Sequence, residues 1–449
     1  MKKLFSLAVP LIISQLISVA LVLTDVWMMS RMSVSALAAG GLGASVYSFI
    51  FIVLSSIVGC VANLIAIAHG QSASKPRFAE KQIRLLIKGA VLLSCILTVL
   101  ISIGFVFIPQ LFILAKQPPA VVDQAMQYAN AMKWALLPSL LMLVLRGLTS
   151  AFGNVRSIMV MSLLTVVLNV PLSYTLAFPL NMGLAGLGIG SALSAMIVML
   201  GYGYWVFQRN EFYHFAPWKQ LEEYSWRLVL PLLSLGLPIA LAALLENGLI
   251  YGGTLLAGTI GVAALALHQI LLQCLAFTWN INFGFAQAAA ILVGKDFGAD
   301  DLEGIKSTSV KSFAFVTLLS AGLSVVFIGW PVLIEKLFGI EDPSSMLAQM
   351  FASVIWVVAL CFVVDAWQLL AINLLRGMKI VNLPTVVTAV GHWVVGLPSA
   401  WFMIDRYGLV GIWGGIGIGL AVTGVLLLAQ LIFTLNRRTP RVAFTPVEG

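Results

Sequence analysis

The chain contains twelve apolar runs, each about the length of a helix that crosses a bilayer. A spanning helix needs roughly 20 residues, and a helix satisfies its own backbone hydrogen bonds where no water is present. Only 9% of the residues are charged, against about 25% in soluble domains. We therefore predict an all-α integral membrane protein with twelve transmembrane helices. The runs are at residues 4–29, 44–68, 83–108, 120–148, 157–179, 185–207, 228–256, 262–293, 310–338, 345–375, 383–404 and 409–435.

The second half of the chain resembles the first. Ser6–Leu37 aligns without a gap with Ser234–Leu265 at a constant shift of 228, which pairs Pro10 with Pro238. Six helices per half is an even number, so the two halves have the same orientation and are related by a pseudo-two-fold axis along the membrane normal. Further repeated motifs are Leu-Arg-Gly at 145–147 and 375–377, and the glycine-rich stretches at 183–190 and 408–415. The predicted divisions are an N-lobe at 1–207, a cytoplasmic linker at 208–227, a C-lobe at 228–436 and a cytoplasmic tail at 437–449.

The basic residues predict the orientation. All but five of the 25 lysines and arginines lie in the N-terminal segment, in alternate connections and in the C-terminal segment. These parts of the chain, including both termini, should therefore be cytoplasmic. This distribution explains the net charge of +8 better than a nucleic-acid partner does. We therefore expect no nucleic-acid partner. The first run continues to about Met29 without a small-residue cleavage site, so it is interpreted as a spanning helix rather than a signal peptide.

Most of the 17 carboxylates fall in loops or at the ends of the apolar runs, and three lie within the runs: Asp25, Glu246 and Asp365. An acid at membrane depth is costly and marks a functional site by default. Burial disfavours the charged form of a carboxyl group, so each can hold a proton or a cation such as Na⁺. The alternative is a structural ion pair with an embedded base. Lys133 is the only internal base that the sequence suggests, and it cannot satisfy three acids.

Other polar residues in the apolar runs are weaker candidates. Asn169 either supports an acid or bridges two helices, as Asn often does in membrane bundles. His268 and His392 are lone histidines, for which a hydrogen-bonded packing role is favoured over a proton relay. Four further amides are candidates for the lining of a substrate cavity: Asn247, Gln273, Asn280 and Asn282.

The matched prolines Pro10 and Pro238 remove backbone hydrogen bonds and are predicted hinges. The four cysteines have no metal-ligand or CxxC spacing. The chain has no HExxH motif, no Walker A motif and no nucleophile elbow. We therefore expect a protein without enzymatic activity or a resident cofactor, driven by an ion gradient rather than by ATP.

Two stretches resemble the multidrug and toxic compound extrusion (MATE) family, in its NorM-like or DinF-like bacterial branch. They are Thr24–Ala39, TDVWMMSRMSVSALAA, and Asp365–Gly377, DAWQLLAINLLRG. The doubled six-helix layout and the Leu-Arg-Gly pair agree with the resemblance, which extends over nearly the whole chain. It implies a multidrug antiporter of the bacterial inner membrane that exports organic cations in exchange for H⁺ or Na⁺, and we expect a monomer.

The resemblance also implies roles for single residues. Asp25 matches the acid of the family's first helix, and Asn169 matches an Asn of the fifth. Glu246 and Asp365 match the C-lobe acids of the NorM-like branch. The coupling ion, H⁺ or Na⁺, is therefore expected either at Asp25 or at the Glu246–Asp365 pair, and the resemblance does not decide between the two ions. The departures are Ser173 where the DinF-like branch has an acid, Ser30 where Gly is common, and Cys361 where Tyr often occurs.

Three other functions remain open from the sequence. A flippase for lipid or polysaccharide precursors would need a basic cavity for pyrophosphate headgroups, whereas the embedded ionisable residues are mainly acidic. A channel predicts passive conductance without coupling. A membrane-embedded enzyme would need a metal or a nucleophile constellation, which the sequence does not contain.

Overall fold

The structure is a computed structural model that describes residues 2–114, 117–337 and 346–436. Within these ranges the regular structure is entirely helical. The predicted cytoplasmic tail at 437–449 lies outside the described residues. The long helices are α1 Lys2–Met32, α2 Val34–Ala73, α3 Pro76–Leu114, α4 Pro119–Ala151, α5 Arg156–Ala177, α6 Gly183–Phe207, α7 Trp226–Ile260, α8 Val262–Gly298, α9 Leu302–Gly329, α10 Met346–Gly377 and α11 Asn382–Asn436. A seven-residue helix, Pro331–Leu337, follows α9.

Each of these eleven helices is long and apolar enough to cross a membrane, but α11 contains two spans. Its 55 residues would extend about 80 Å if straight, against a hydrocarbon core of about 30 Å. Gly408 breaks it with a φ of +52°. Gly411 packs on Met403 and Gly415 packs on Ala400. The residue number on one side of Gly408 falls as the number on the other side rises, so the two segments run antiparallel, as in a hairpin. The prediction of twelve membrane-spanning helices is confirmed.

The first half ends in the same hairpin. Gly183 has a φ of +56° at the start of α6, as Gly408 does between the two arms of α11. Gly186 then packs on Ala177, and Gly190 packs on Ser173. The repeated glycines therefore perform the same task in both halves: a left-handed residue turns the chain, and glycines three and seven residues later let the backbones touch.

The helices form two compact units. One contains Ile13–Ala240, and the other contains residues 2–12 together with 241–436. The divisions fall after Ile12 and Ala240, which are equivalent under the repeat shift of 228, and each lies two residues beyond a matched proline. Residues 2–12 of α1 and the rest of α1 therefore belong to different units, and so do residues 226–240 of α7 and the rest of α7. The predicted lobe limits at 207 and 228 remain a prediction.

Contacts within each unit show how these first turns are held. Gly284 of α8 lies against the Ile12 backbone, where an added Cβ would be 2.8 Å from the Ile12 Cα. In the other unit, Gly236 of α7 lies against Ile57 of α2 at a comparable distance. Because glycine has no side chain, the first turns of α1 and α7 approach their neighbours backbone to backbone.

The predicted linker at 208–227 packs on α3 in the Ile13–Ala240 unit. Glu223 accepts two hydrogen bonds from Arg84, at 2.9 and 2.8 Å, and one from Lys88 at 2.7 Å. The Lys88 side chain is fully buried and also donates to the Gln220 carbonyl. The Arg84 and Lys88 hydrogen bonds hold the pKa of Glu223 at about 2, below its usual value of 4.5.

Candidate functional site

A buried polar cluster, the Asp25 cluster, lies in the Ile13–Ala240 unit and consists of Asp25, Tyr128, Asn169 and Ser191. Asp25 on α1 is 9% exposed and is hydrogen-bonded with Ser191 of α6 and Tyr128 of α4. Asn169 on α5 is fully buried and donates from Nδ2 to the Ser191 Oγ at 2.8 Å. The structure therefore brings the predicted residues Asp25 and Asn169 together through Ser191.

The close packing of α5 on α6 positions this cluster. A Cβ added to Gly190 would lie 2.5 Å from the Ser173 Cα, so no larger residue fits between the two helices there. Ser191, the next residue, is thereby held beside Asn169. Ser173, which stands where the DinF-like branch has an acid, makes a long 3.4 Å hydrogen bond to the Leu187 carbonyl and adds no charge to the cluster.

The atoms of the Asp25 cluster that could bind a cation are oxygen atoms. Asp25 Oδ1 and Asn169 Oδ1 are buried and have no hydrogen-bond partner among the described residues. Carboxylate and carbonyl oxygens suit hard cations, whereas zinc and copper favour imidazole nitrogen and cysteine sulfur. In the described ranges, no group of three His, Cys, Asp or Glu side chains could hold a metal ion. The arrangement can accept a proton or a hard monovalent cation.

A second cluster, the Asp365 cluster, lies in the unit that contains 241–436 and consists of Glu246, Trp279, Asp365 and Arg376. Asp365 on α10 is 3% exposed, and its Oδ2 has no partner in the described part of the chain. Glu246 on α7 lies near enough to Asp365 for the two acids to repel each other. Glu246 is hydrogen-bonded with Trp279 of α8 and attracted by Arg376 at the end of α10. The two predicted C-lobe acids therefore belong to one electrostatic group.

Gln368, one turn after Asp365, links α10 to a distorted stretch of α11. Its Oε1 is 3.1 Å from His392 Nε2, on the π-helical segment Val390–Gly396. Such segments are frequent at functional sites. His268 Nε2 lies 3.2 Å from the Thr254 hydroxyl. Both histidines are fully buried, and both are hydrogen-bonded.

The four predicted cavity amides do not form one group. Asn247 and Asn280 donate to carbonyls of their own helices, Ala243 at 2.8 Å and Ala276 at 2.7 Å. Asn282 is buried and bridges α8 to Ser320 of α9 at 3.3 Å. Gln273 is exposed. Their role in substrate binding remains a prediction.

Sequence reasoning missed Tyr128, Ser191, Gln368 and Arg376. Tyr128 and Ser191 carry no signal of their own, because hydroxyl groups are common in membrane helices. Arg376 had a signal in the repeated Leu-Arg-Gly motif, but it was counted with the connecting segments. Lys133 was the only base considered for an ion pair, whereas the base that acts on Glu246 is Arg376.

The comparison with protein families decides the identity. The sequence profile of the MatE family matches residues 10–175 and 238–402, which is most of the chain. The matched segments begin at the paired prolines Pro10 and Pro238. The chain belongs to the MatE family. This confirms the resemblance given by the motifs, and membership makes the MatE chain a multi-pass membrane transporter rather than an enzyme.

Several relatives of this MatE chain are described as probable multidrug resistance protein NorM. The relative from Pseudomonas putida is 32% identical over 445 residues, which cover 97% of this chain and 95% of that protein. The relative from Bradyrhizobium diazoefficiens is 30% identical over 441 residues, with coverage of 96% and 93%.

Solved structures share the fold. The Vibrio cholerae MATE transporter VcmN in its bent form has a TM-score of 0.87 at 17% identity, and the match covers 97% of each chain. An outward-facing multidrug resistance MATE transporter has a TM-score of 0.87 at 18% identity, with coverage of 97% of this chain and 96% of that chain. At these identities the likeness concerns the twelve-helix, two-lobe fold.

Proposed function

We propose that this MatE protein is a secondary active multidrug antiporter that exports cationic, amphipathic xenobiotics in exchange for H⁺ or Na⁺. It acts by alternating access between its two lobes, as a monomer in the bacterial inner membrane, with both termini cytoplasmic and no resident cofactor. The names of the relatives support the drug substrates, and the two acid-centred clusters support the ion coupling.

The observation that carries the proposal is a buried carboxylate oxygen in each half, Asp25 Oδ1 and Asp365 Oδ2, to which no group in the described part of the chain donates. A buried polar atom left unsatisfied costs about 1–3 kcal/mol, and more when it is charged. A proton or a cation removes this cost. Each charge that crosses the membrane potential contributes about 2.3 kcal/mol per 100 mV, so one or two ions can drive a substantial drug gradient.

The mechanism follows from competition for negative charge. An organic cation is attracted while the acids are ionised. When a proton or Na⁺ neutralises Asp25 or the Glu246–Asp365 pair, the attraction is lost and the drug is released outward. Release of the ion inward restores the charge and prepares the next cycle. The polar groups around each acid, Ser191 and Tyr128 or Trp279 and Arg376, position the carboxylate for this exchange.

The test is dye transport by purified protein in proteoliposomes. Wild type, Asp25→Asn, Glu246→Gln and Asp365→Asn are compared for ethidium transport driven separately by a Na⁺ gradient and by a H⁺ gradient. We expect wild type to transport under one gradient, which identifies the ion. The neutral variants should fall to the level of liposomes without protein, because they can no longer exchange charge.

Asp405→Asn and Glu211→Gln are the matched controls, since both replace exposed acids outside the clusters and should transport as wild type does. Transport at the wild-type rate by all three cluster variants would show that those acids are structural. If the wild type moves no dye under either gradient, the antiporter proposal fails, and the flippase function becomes the one to test.

A further inference from the structure

A cavity of about 330 Å³ lies in the unit that contains residues 2–12 and 241–436, where the start of α1 meets the end of α8 and the beginning of α9. Its wall carries three lysines: Lys2 and Lys3 from α1 and Lys311 from α9. Leu4 and Leu292 supply apolar surface. The ion-coupling proposal uses none of these residues.

The cavity has a surplus of positive charge. Its one acid, Asp296, is hydrogen-bonded with Thr308, which also lines the cavity. Lys311 Nζ donates to the Ser307 hydroxyl at 2.6 Å, a neutral partner. Within the ranges that the structure describes, none of the three lysines has a carboxylate within 4.0 Å. Three ammonium groups therefore face one engaged carboxylate.

Of the neighbouring charges that act on Asp296, Asp301 adds one negative charge and Lys295 adds one positive charge, so together they leave the surplus unchanged. Asp301 accepts a hydrogen bond from the Gly304 N–H at 2.8 Å, so its carboxylate caps the first turn of α9. Lys295, next to Asp296, and Lys3 both attract the Asp296 carboxylate. The first N–H groups of α1 point out of the helix beside Lys2 and Lys3 and favour an anion at the same end.

The location selects the kind of anion. The cavity lies at the start of α1, near the end of α8 and near the start of α9, on the side that the basic-residue distribution predicts to be cytoplasmic. Basic pockets between transmembrane helices on the cytoplasmic side bind anionic headgroups. We infer that this cavity binds the phosphate of an anionic phospholipid, with Lys2, Lys3 and Lys311 as its partners. Leu4 and Leu292 then contact the glycerol and the first methylene groups.

The occupied site would join α1 to α8 and α9. The first turns of α1 already pack there: the Phe5 ring meets the Phe315 ring edge to face at 4.7 Å, and Ile12 lies against Gly284. A headgroup bound by lysines of both α1 and α9 adds a polar bridge at the end of this contact. The bound lipid should therefore stabilise the packing of residues 2–12 on this unit.

The test is native mass spectrometry of the purified protein after equilibration with equal amounts of phosphatidylglycerol and phosphatidylcholine. Wild type should retain phosphatidylglycerol selectively. The triple variant Lys2→Gln, Lys3→Gln, Lys311→Gln should bind it on the order of a hundredfold more weakly, since each basic residue near an anionic lipid contributes roughly a factor of five. Lys311→Gln alone leaves α1 unchanged and should lose roughly fivefold.

The matched control is Lys75→Gln, Arg77→Gln, Lys81→Gln. It removes the same charge from exposed residues around the start of α3, which the basic-residue distribution assigns to the same membrane side. This control should keep the selectively retained lipid. Equal losses in both triple variants would overturn the site in favour of general surface attraction. Displacement of the lipid by millimolar soluble glycerol phosphate would overturn the choice of a membrane lipid as occupant.

Discussion

At the scale of single residues, the hydroxyl of Ser191 connects Asn169 to Asp25. Because Ser191 Oγ accepts the Asn169 N–H at 2.8 Å, its own O–H is available to donate to the Asp25 carboxylate. Asn169 is therefore a positioning residue that acts through Ser191, and its amide oxygen remains available to a cation. Its contribution should depend on the carboxylate that it serves.

We predict that Asn169→Leu reduces ion-driven dye transport, and that it lowers the thermal stability of wild type more than that of Asp25→Asn. Residues that act through one network show non-additive effects, commonly about 0.5–3 kcal/mol of coupling. The double-mutant cycle is measured by thermal unfolding in detergent, and the transport rate and half-saturating ion concentration are compared between wild type and Asn169→Leu. Ser194→Ala, whose hydroxyl is 3.5 Å from Asn169, is the control and should behave nearly as wild type. Additive losses would separate Asn169 from Asp25.

The acids could be predicted from sequence because an ionisable group inside an apolar run is conspicuous on chemical grounds alone. Their surroundings could not. Ser191 is one of several hydroxyl residues on α6, and only tertiary contacts show that it faces α5: Gly190 packs on Ser173, and Asn169 donates to Ser191. Lys88 was assigned to a basic cytoplasmic segment, yet it is fully buried, because Glu223 folds back from the linker to meet it.

At the scale of helices, the glycines of the two terminal hairpins determine how closely their arms pack. A Cβ on Gly415 would lie 2.2 Å from the Ala400 backbone N, so Gly415→Ala must push the two arms of α11 apart. We expect it to lower the stability by about 1–3 kcal/mol, the usual cost of overpacking. Thermal unfolding in detergent is the measurement. Gly322→Ala on α9 has open space around the new methyl group, so it should be neutral or slightly stabilising.

Glu223 and its hydrogen-bond partners Arg84 and Lys88 on α3, here called the Glu223 clamp, should make the stability depend on pH. The pKa of Glu223 is about 2 in the folded protein, below the usual 4.5. Between pH 2 and pH 4.5 the folded protein therefore binds fewer protons than the unfolded chain. The clamp's contribution is complete above pH 4.5 and is lost as the pH falls towards 2. Thermal unfolding of wild type should therefore weaken through this window, and that of Glu223→Gln should change less.

Glu223→Gln should also destabilise the linker at neutral pH, because it leaves the buried Lys88 ammonium without its counter-ion. Removing one partner of a buried pair costs about 3–5 kcal/mol, and the partial exposure of Glu223 places this case at the lower end. Limited trypsin digestion around Arg209 and Lys219 measures it. Glu222→Gln, at the neighbouring exposed acid, is the control. Equal cleavage of both variants would deny the clamp a role.

At the scale of the whole molecule, the repeat was predictable and the division into units was not. Apolar runs and the shift of 228 identify two six-helix halves, because spanning helices must be apolar and a duplication preserves spacing. The exchange of first turns between α1 and α7 depends on contacts such as Gly284 with Ile12 and Gly236 with Ile57. These are tertiary contacts between distant segments, and no local pattern encodes them.

The division suggests where motion is absorbed. If the lobes move during transport, α1 must bend near Ile12 and α7 near Ala240, because each helix belongs to both units. Pro10 and Pro238 each lie two residues before that point and leave a backbone carbonyl without its helical hydrogen bond. Pro10→Ala and Pro238→Ala should restore these bonds, stiffen the helices and lower the transport rate, while equilibrium binding of the dye is retained.

Dye binding by fluorescence anisotropy, measured beside transport in proteoliposomes, separates the two effects. Pro171→Ala is the control, because Pro171 also lies inside a helix but α5 belongs wholly to one unit. The double variant Pro10→Ala, Pro238→Ala should be slower than either single variant, since both helices must bend in each cycle. Transport at the wild-type rate by the double variant would show that the matched prolines only shape the helices, and the bending would then have to occur elsewhere.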